Sequence, residues 1–518
     1  MRLECFVSNA WVTGSGEGRP LINPVTGSEI ARADATGVDV AAAMNYARSI
    51  GGAALRAMSF AQRGALLNDI AGVLIANREG YEQTACQNSG NTKTDASVDI
   101  DGGIATLKYY ARLAKGLGDA TCFVEETRDQ LARDPVFFAQ HVMTGRAGVA
   151  VQINAFNFPS WGLWEKVAVA TLAGVPSVAK PATATALLSY QMVKDVVDAG
   201  VVPAGVLTLI CGSGEALLDS VTTMDSIAFT GSAATGEMIS SHPVVRTSGA
   251  RVTIEADSVN ATLLGPDAVA GTPLFDLAVR EVVRAFCTKA GQLCTNIRRV
   301  LVPREIHDDF AAAVKSKMEE FVIGDPADAT TQVGPLINMA QRDEAEEKIS
   351  QLLRECVELA RADLPEGLNE KSSFVAPRLL SCSDPASASI VHGVEVFGPC
   401  VTLLAYKDLD QAMCLAAAAE GSLALSAFTN DATLQVGIAA QLGAWHGRIL
   451  FVDDTVGRNH TGHSIVMPQC VHGGPGRAGG GEELGGLRGL RFHMQRTAIQ
   501  GSPDMLDRLQ AAGVVAQL

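Results

Sequence analysis

Short apolar runs alternate with amphipathic segments through the middle of the chain, from about Gly145 to Asn260. This alternation predicts a βαβ order, which is typical of a parallel, doubly wound α/β sheet with helices on both faces. Because ligands of such sheets bind at the carboxyl ends of the strands, side chains at those ends are the first candidates for function. The predicted strands are Ala147–Ile153, Ser177–Lys180, Val206–Cys211, Ser226–Phe229 and Arg251–Ala256, and the predicted helices are Gly162–Leu172, Ala186–Ala199 and Ala234–Ser240.

A second α/β series follows Asn260, so the chain is expected to hold two such units. The first 120 residues predict an irregular start followed by helices, one of which begins with the capping box Ser59–Gln62. Two segments fit neither unit: Asp134–Met143 predicts one arm of a hairpin, and Leu490–Ala498 alternates like an exposed strand that pairs with another subunit. The second series comprises predicted strands at Ala261–Leu264, Ile297–Val302, Val401–Ala405, Ala424–Thr429 and Ile449–Val452, and helices at Leu277–Cys287, Glu305–Phe321 and Arg342–Ala362.

Length and composition narrow the classes of function. With 518 residues the chain is too long for one hydrophobic core, so two or three domains are expected. A net charge of −15 argues against nucleic acid and an anionic membrane as partners, and no apolar run is long enough to span a bilayer. The eleven cysteines lack CxxC and Cys/His spacing, which argues against disulfides and a bound metal and favours a reducing cytoplasm.

Cys294 is the first candidate for catalysis. It lies in Gly291–Ile297, just after a glycine-containing turn and just before an apolar run that predicts a strand. A thiol at such a junction can reach a cleft, where nucleophilic chemistry depends on access and on a local field that lowers the thiol pKa. The alternative, a small buried hydrophobic residue, is the more common state of a free cysteine, so this stretch alone leaves the choice open.

Four further candidates lie at predicted strand ends. Ser232 lies where Phe229–Gly236 turns from strand to helix, and N–H groups at a helix start can bind a phosphate, although such turns often serve only as caps. Lys180 places a cation at the same edge, with a solvated surface charge as the alternative. Asn157 can hydrogen-bond an oxyanion or form only a turn. Glu255 ends an apolar strand, where burial would raise the pKa of a general base, or it caps the next loop.

These stretches together resemble the aldehyde dehydrogenase superfamily over essentially the whole chain. The resemblance implies that a Cys294 thiolate attacks an aldehyde and that the Asn157 amide and the Cys294 N–H hold the oxyanion. It also implies that Glu255 activates water to release a carboxylic acid, with Lys166 and Glu483 in support. The marks, in family order, are Asn157-Phe158-Pro159, Lys180-Pro181, Phe229–Gly236, Glu255, Gly291–Cys294, Glu395–Pro399 and Glu483-Leu484-Gly485.

The same resemblance implies a nicotinamide cofactor. It places Ser232 near the pyrophosphate, Lys180 near the adenosine ribose, and Glu395 and Phe397 against the nicotinamide ribose and ring. Family members that use NAD commonly have Glu where this chain has Thr183, and a neutral hydroxyl does not repel a 2′-phosphate. The predicted cofactor is therefore NADP, with NAD as the alternative. The remaining residues implied in cofactor binding are Phe156, Gly231 and Thr235.

The fold implied by the resemblance has three parts. A Rossmann-like cofactor domain would comprise residues 1–123 and 146–260, and a catalytic domain residues 261–483. Residues 124–145 and 484–518 would form an oligomerisation β-flap and a C-terminal tail, so a homodimer or homotetramer is expected.

A closer resemblance points to the branch of the family that acts in the aerobic, coenzyme A–linked breakdown of aromatic acids. Its marks are Ile254–Asn260 and the segment from His472–Arg477 to Met494–Thr497. The predicted substrate is then a small CoA-linked aldehyde.

Two other functions remain as alternatives. An acylating or phosphorylating dehydrogenase would exchange a thioester instead of hydrolysing it, and Glu255 argues against this class because those branches lack the base. A non-catalytic structural member is the other alternative, against which the presence of Cys294 and Asn157 argues.

Overall fold

The structure is a computed structural model that describes residues 1–516. Among these residues no helix combines the length and the apolar character that crossing a membrane requires. The helices are α1 (Val40–Tyr46), α2 (Gly52–Ala57), α3 (Phe60–Ala76), α4 (Arg78–Ser89), α5 (Lys93–Leu117), α6 (Trp161–Ala173), α7 (Ala186–Asp198), α8 (Glu215–Asp219), α9 (Ala233–Ser241), α10 (Pro243–Ser248), α11 (Pro273–Cys287), α12 (His307–Met318), α13 (Met339–Leu352), α14 (Ile390–Gly393), α15 (Leu409–Ala417), α16 (Ala432–Leu442), α17 (Leu487–His493) and α18 (Pro503–Ala512).

The strands form two large sheets and two small ones. They are β1 (Arg2–Val7), β2 (Ala10–Thr13), β3 (Arg19–Ile22), β4 (Glu29–Ala33), β5 (Phe123–Gln130), β6 (Phe138–Gly145), β7 (Ala150–Ile153), β8 (Ser177–Lys180), β9 (Leu207–Leu209), β10 (Ser226–Thr230), β11 (Arg251–Glu255), β12 (Ala261–Leu264), β13 (Arg299–Pro303), β14 (Cys356–Arg361), β15 (Arg378–Cys382), β16 (Cys400–Tyr406), β17 (Ser422–Phe428), β18 (His446–Val452), β19 (Val471–Gly473), β20 (Glu482–Leu484), β21 (Met494–Gly501) and β22 (Val514–Val515).

The first large sheet confirms the predicted α/β class. Its nine strands run in the order β11-β10-β7-β8-β9-β1-β4-β3, with β2 paired to β1. Strands β7 to β11 are parallel to one another. Because β8 and β10 lie on opposite sides of β7, the chain order reverses there and opens a crevice at the carboxyl ends. Register pairs Ile153 with Lys180 and Thr230 with Glu255, so these strand ends share one edge.

The second large sheet has the order β14-β15-β16-β13-β12-β17-β18. It is parallel except for β14, which pairs antiparallel to β15. The predicted helix Arg342–Ala362 is wrong in its second half, because α13 ends at Leu352 and Cys356–Arg361 is an edge strand. The Glu, Leu and Ala residues there favour helix locally, but pairing with the sheet edge outweighs that weak preference.

A four-stranded sheet, in the order β21-β6-β5-β22, stands apart from the two large ones. The prediction of a strand over Leu490–Ala498 is wrong at its start, because Leu490 to His493 belong to α17 and the strand begins at Met494. The Arg251 guanidinium explains the boundary, since it binds the carbonyl oxygens of Arg491, Phe492 and Met494. Strand β21 pairs with β6 of the same chain, and its other edge is mostly exposed.

The first 120 residues are less irregular than predicted. Strands β1 to β4 lie within the first 33 residues and extend the first sheet, while the helices follow as expected. The capping box is confirmed, because the Ser59 hydroxyl accepts the N–H of Gln62 and the Gln62 side chain accepts the N–H of Ser59. At the start of α6, the Asp99 carboxylate accepts the N–H groups of Ser160 and Trp161, which fixes the helix that carries Lys166.

Candidate active site

Cys294 lies in a loop between α11 and β13 whose backbone is held in an uncommon conformation. Lys289, Ala290 and Gly291 have φ values of 49°, 49° and 75°, and this left-handed region costs a non-glycine residue roughly 1–2 kcal/mol. Glycine is required at Gly291, because a Cβ there would lie 2.2 Å from a carbonyl oxygen of a neighbouring loop. The Asp95 carboxylate accepts the N–H of Lys289 at 2.8 Å and so holds the start of the turn.

The buried Arg298 joins this loop to the one that precedes β16. Its guanidinium donates to the carbonyl oxygens of Gly291 at 2.9 Å and Leu293 at 3.1 Å. It also donates to the carbonyl oxygen of Gly398 at 3.2 Å and contacts Glu395 Oε1 at 3.2 Å. Arg298 therefore fixes the backbone just before Cys294 and joins it to the loop at Gly398.

Glu255 and His472 lie beside the Cys294 thiol. One ligand atom from each of the three side chains lies within 4.8 Å of the other two, and His472 Nε2 is 2.9 Å from Glu255 Oε2. Burial, together with the hydrogen-bonded Glu255 carboxylate, raises the pKa of Cys294 well above its ordinary value. The free thiol is therefore protonated, and it needs a base to become a nucleophile.

The expectation of a raised pKa for Glu255 is wrong. Burial raises the pKa of this carboxyl, as argued from its place at the end of an apolar strand. His472, and after it Lys166, more than cancel that effect and lower the pKa to about 2. Opposite charge within hydrogen-bonding distance outweighs the loss of solvation here. Glu255 is consequently ionised throughout the neutral pH range.

Lys166 is brought together with Glu483, as the resemblance implied. Its Nζ lies 3.0 Å from Glu483 Oε2 and 3.6 Å from Glu165 Oε1, and it donates to Thr230 Oγ1 at 3.0 Å. Burial alone would lower the pKa of Lys166, but the two carboxylates raise it above its ordinary value. Burial raises the pKa of Glu165 to about 7, against the effect of Lys166. A buried ammonium thus links α6 to β20.

A narrow cavity of about 50 Å³ opens onto the thiol. Volume of this size holds a few water molecules or a small reacting group. Asn157 lies on its wall, where Nδ2 donates to the carbonyl oxygen of Gln292 at 3.1 Å, next to the nucleophile loop. Phe158 and Trp161 form another wall, with their ring centroids 5.7 Å apart. The other lining residues are Ala155, Gly162, Glu165, Lys166, Thr230, Glu255, Cys294, Thr295, Ser464, Val466 and His472.

A groove of about 880 Å³ runs along the carboxyl ends of the first sheet, and Lys180, Thr183 and Thr235 line it. Its size and position suit a dinucleotide in a doubly wound sheet. The groove also includes Arg19 of β3, which forms no ion pair within residues 1–516. Arg19 is close enough to Lys180 to help lower the pKa of that lysine, although burial is the larger cause. Lys180 and Arg19 therefore place two positive charges at the same end of the groove.

Ser232 and Gly231 lie at the start of α9, where the sequence placed an anion site. The Ser232 hydroxyl accepts the N–H of Thr235 at 3.3 Å, so it caps the helix. The N–H of Ala233, the first residue of α9, donates to the Asp257 carboxylate at 3.1 Å. A negatively charged group already occupies this helix start, as expected of a position that favours anions.

The remaining residues implied in cofactor binding lie on the other side of the nucleophile loop. Glu395 accepts the N–H of Ser258 at 2.9 Å and contacts Arg298, while burial raises its pKa. The rings of Phe397 and Phe156 meet edge to face, with centroids 5.5 Å apart. Glu395 and Phe397 therefore lie against Arg298, which holds the Cys294 loop, while the Phe156 carbonyl oxygen accepts from Thr185 in the turn that begins at Thr183.

Residues 11–498 match the sequence model of the aldehyde dehydrogenase family. The chain belongs to the aldehyde dehydrogenase family. It is 46% identical, over 92% of its length and 93% of the relative, to a 3,4-dehydroadipyl-CoA semialdehyde dehydrogenase of Aromatoleum evansii. It is 30% identical to mouse retinal dehydrogenase 2 over 93% of this chain and 89% of that protein.

Solved structures agree on the fold. The aldehyde dehydrogenase chain superposes on lactaldehyde dehydrogenase from Escherichia coli with a TM-score of 0.83, covering 96% of this chain and 99% of that one at 22% identity. Aldehyde dehydrogenases use NAD or NADP, and the groove and the strand-end residues fit such a cofactor.

Several residues of this aldehyde dehydrogenase site were not singled out from the sequence. Arg298 and Glu165 are helix or loop residues whose burial no local pattern reveals, and Arg19 lies in a strand that was not predicted. The sequence indicates His472 only as the first residue of the segment His472–Arg477, although its place directly before Gly473-Gly474 is a sign that the backbone there approaches another segment closely. All four act through contacts with distant segments.

Glu255, Cys294 and His472 also have the chemistry of zinc ligands. Within residues 1–516 they are the single group of three such side chains close enough to share an ion. Each of them already has a hydrogen-bonding partner within the group. The expectation that the enzyme needs no metal therefore stays a prediction.

Replacing Cys294 by alanine should abolish the reduction of the nicotinamide cofactor, because no other thiol lies next to Glu255 in the described residues. Cofactor affinity, measured by fluorescence titration, should stay within about twofold, since a change of 0.4 kcal/mol or less corresponds to this factor. Cys414→Ala, at an exposed cysteine, is the matched control and should keep full activity. Loss of cofactor binding in the Cys294 variant would show that the cysteine has a structural role.

Proposed function

We propose that this aldehyde dehydrogenase oxidises a CoA-linked semialdehyde to the free acid with NADP. The proposed reaction converts 3,4-dehydroadipyl-CoA semialdehyde to 3,4-dehydroadipyl-CoA, in the cytoplasm, as a step of aerobic benzoate degradation through benzoyl-CoA. The observation that carries the chemistry is the Cys294 thiol, whose sulfur lies within 4.8 Å of an ionised Glu255 carboxylate on the wall of a narrow cavity. The relative from Aromatoleum evansii, 46% identical over 92% of this chain, supports the choice of substrate.

Cys294 is the nucleophile in this proposal. Glu255 takes the thiol proton as the sulfur attacks the aldehyde carbon, which gives a thiohemiacetal. The Asn157 amide and the Cys294 N–H donate to the oxyanion, a type of contact worth roughly 3 kcal/mol in the transition state. NADP, when bound, supplies the acceptor for the hydride that leaves this carbon, and a thioacyl group then remains on Cys294.

Glu255 is also the base for the second half of the reaction. Once the thiol proton taken in the first half has passed to solvent, Glu255 removes a proton from the water that attacks the thioacyl carbon. The C–S bond breaks to release the acid, and the leaving sulfur takes up this proton. Because this base is present and ionised, hydrolysis is favoured over transfer of the acyl group to free CoA or phosphate. Lys166 holds Glu483 and Thr230 at the back of the cavity and keeps this wall in place.

The size of the cavity limits what part of the substrate enters. About 50 Å³ accommodates the aldehyde end but not a coenzyme A group. Phe158, Trp161 and Val466 line the cavity and would contact an acyl chain. The CoA group therefore stays outside, and its contribution to binding acts at a distance from the reacting carbon.

NADP is proposed as the cofactor because of the charges near Thr183. A glutamate at this position would repel the 2′-phosphate, and a threonine does not. Lys180 and Arg19 line the same part of the groove and can neutralise the phosphate. The Arg19 side chain is exposed, and its strand, β3, packs against the turn formed by residues 183–185.

Changes at these positions should alter cofactor preference. Thr183→Glu should lower kcat/KM for NADP by about 100-fold or more, through repulsion of the phosphate, and should spare NAD. Arg19→Ala should lower kcat/KM for NADP by about tenfold, equal to 1.4 kcal/mol, with NAD unaffected. Steady-state assays with both cofactors measure the ratio.

Arg133→Ala, at an exposed arginine outside the groove, is the control and should change neither value. Equal use of NADP and NAD by the unmodified enzyme would contradict the argument from Thr183.

The substrate proposal is tested by comparing the CoA-linked semialdehyde with short aldehydes. The CoA compound should have a kcat/KM about 100-fold higher, because binding outside the cavity contributes to the transition state as well. The acid should form in buffer without free CoA or phosphate. Product that appeared only after one of these was added would rule out the hydrolytic reaction.

We also propose that residues 1–123 with 146–260 bind the cofactor and residues 261–483 form the catalytic part, while residues 124–145 and 484–518 mediate association into a homodimer or homotetramer. The exposed edge of β21 supports the last role, since an unpaired edge offers backbone groups to another strand.

Two proline substitutions test this edge. Along β21, successive N–H groups point alternately toward β6 and away from it, so Thr497→Pro and Ala498→Pro each remove one kind. The variant that removes an N–H pointing away from β6 should reduce the molar mass in light scattering without lowering the melting temperature. The variant that removes an N–H bonded to β6 should lower the melting temperature. Unchanged mass in both variants would place the subunit contact elsewhere.

A further inference from the structure

His472 is a buried histidine whose ring lies against the proposed base. Its Nε2 is 2.9 Å from Glu255 Oε2, and 8% of its side chain is exposed. Across the β19–β20 hairpin it is paired in register with Glu483, the residue that binds Lys166. The β19–β20 hairpin therefore provides a partner for Glu255, through His472, and a partner for Lys166, through Glu483.

The loop of this hairpin is fastened to the strand that carries Glu255. Ala256 N–H donates to the carbonyl oxygen of Ala478 at 3.0 Å, and Gly481 N–H donates to that of Ile254 at 3.2 Å. Gly479 permits the approach, since a Cβ there would lie 2.3 Å from the same carbonyl oxygen of Ile254. The glycine-rich segment thus sets the distance between the histidine and the carboxylate.

The two carboxylate oxygens of Glu255 have different surroundings. Oε2 faces His472, whereas Oε1 is buried and has no partner of ordinary hydrogen-bond geometry within residues 1–516. The Cys294 sulfur lies within 4.8 Å of this carboxylate as well. An oxygen left without a fixed partner beside the nucleophile is available to take a proton.

We propose that His472 is a positioning residue that donates Nε2–H to Oε2 of Glu255 and keeps the carboxylate ionised with Oε1 toward Cys294. This inference rests on the base role proposed above for Glu255. In each proton transfer the S–H or water O–H bond breaks and an O–H bond forms on Glu255, while His472 keeps its own proton.

The charges around His472 fit a protonated imidazole. Burial alone would lower its pKa, but Glu255, Glu165 and Glu483 raise it above the ordinary value. Lys166, paired with Glu483, and the uncharged Cys294 thiol are the other ionisable groups at this face. Removing the imidazolium would leave burial as the larger influence on Glu255, so the pKa of that carboxyl would rise.

The test uses 4-nitrophenyl acetate, which can acylate the thiol without cofactor or aldehyde. The initial burst of nitrophenolate reports acylation of Cys294, and the steady rate reports deacylation by the Glu255-activated water. In the unmodified enzyme the deacylation rate should stay nearly constant from pH 8 to pH 5.5, because the pKa of Glu255 is about 2. Glu255→Gln is the reference and should show a burst without turnover.

His472→Leu should lose deacylation on the acid side, by about tenfold for each pH unit below the new pKa of Glu255. At pH 8 and above the rate should recover to within a few-fold. His472→Gln, which can donate the hydrogen bond without the charge, should have an acid limb between the other two. Thermal unfolding shows whether each variant is folded.

Parallel pH profiles for the Leu variant and the unmodified enzyme would overturn the proposal. If the Leu variant does not fold, the Gln variant decides: an acid limb shifted upward supports the role, and a profile identical to that of the parent overturns it. Ester turnover needs neither CoA nor NADP, so failure of the substrate proposal would leave this result unaffected.

Discussion

The conformation of the loop that carries Cys294 depends on one buried cation. Arg298 binds the carbonyl oxygens of Gly291 and Leu293 on one side, and the Gly398 carbonyl oxygen and the Glu395 carboxylate on the other. A buried guanidinium without partners would be strongly unfavourable, so both loops must adopt the conformations that satisfy it. The left-handed turn at Lys289 and Ala290 is stable only because such contacts surround it. The Cys294 loop is therefore positioned by the contacts of Arg298, in which the thiol itself takes no part.

The charges of the site control when the thiol becomes reactive. Three buried carboxylates, those of Glu165, Glu255 and Glu483, face two cations, Lys166 and His472. Burial is the largest reason why the pKa of Cys294 is raised and not lowered, and the neighbouring carboxylates, Glu255 first, raise it further because a thiolate would add another negative charge. This differs from thiol enzymes that hold a preformed thiolate beside a cation. Here the Cys294 thiol is protonated, and the Glu255 carboxylate lies beside it.

Much of the molecule could be predicted from local sequence. The parallel strands and the candidate residues at their carboxyl ends follow from short-range patterns, whereas the choice of Cys294 needed the resemblance over the whole chain. The α/β class and the family are confirmed. Errors occurred where a distant partner outweighed local preference. Cys356–Arg361 becomes a strand through β15, and Leu490–His493 becomes helical beside Arg251. The pKa of Glu255 was misjudged for the same reason, because His472 approaches from a segment more than two hundred residues away.

The β19–β20 hairpin has a consequence for the newly made protein. Cys294 and Glu255 leave the ribosome well before His472 and Glu483, since a chain is synthesised from its N-terminus at roughly 5–20 residues per second. Until the hairpin docks, Lys166 has no Glu483 and Glu255 has no imidazolium beside it. An incomplete chain would thus carry the thiol without the surroundings described above. Synthesis through Glu483 separates a polypeptide that contains Cys294 from one in which the charges around it are in place.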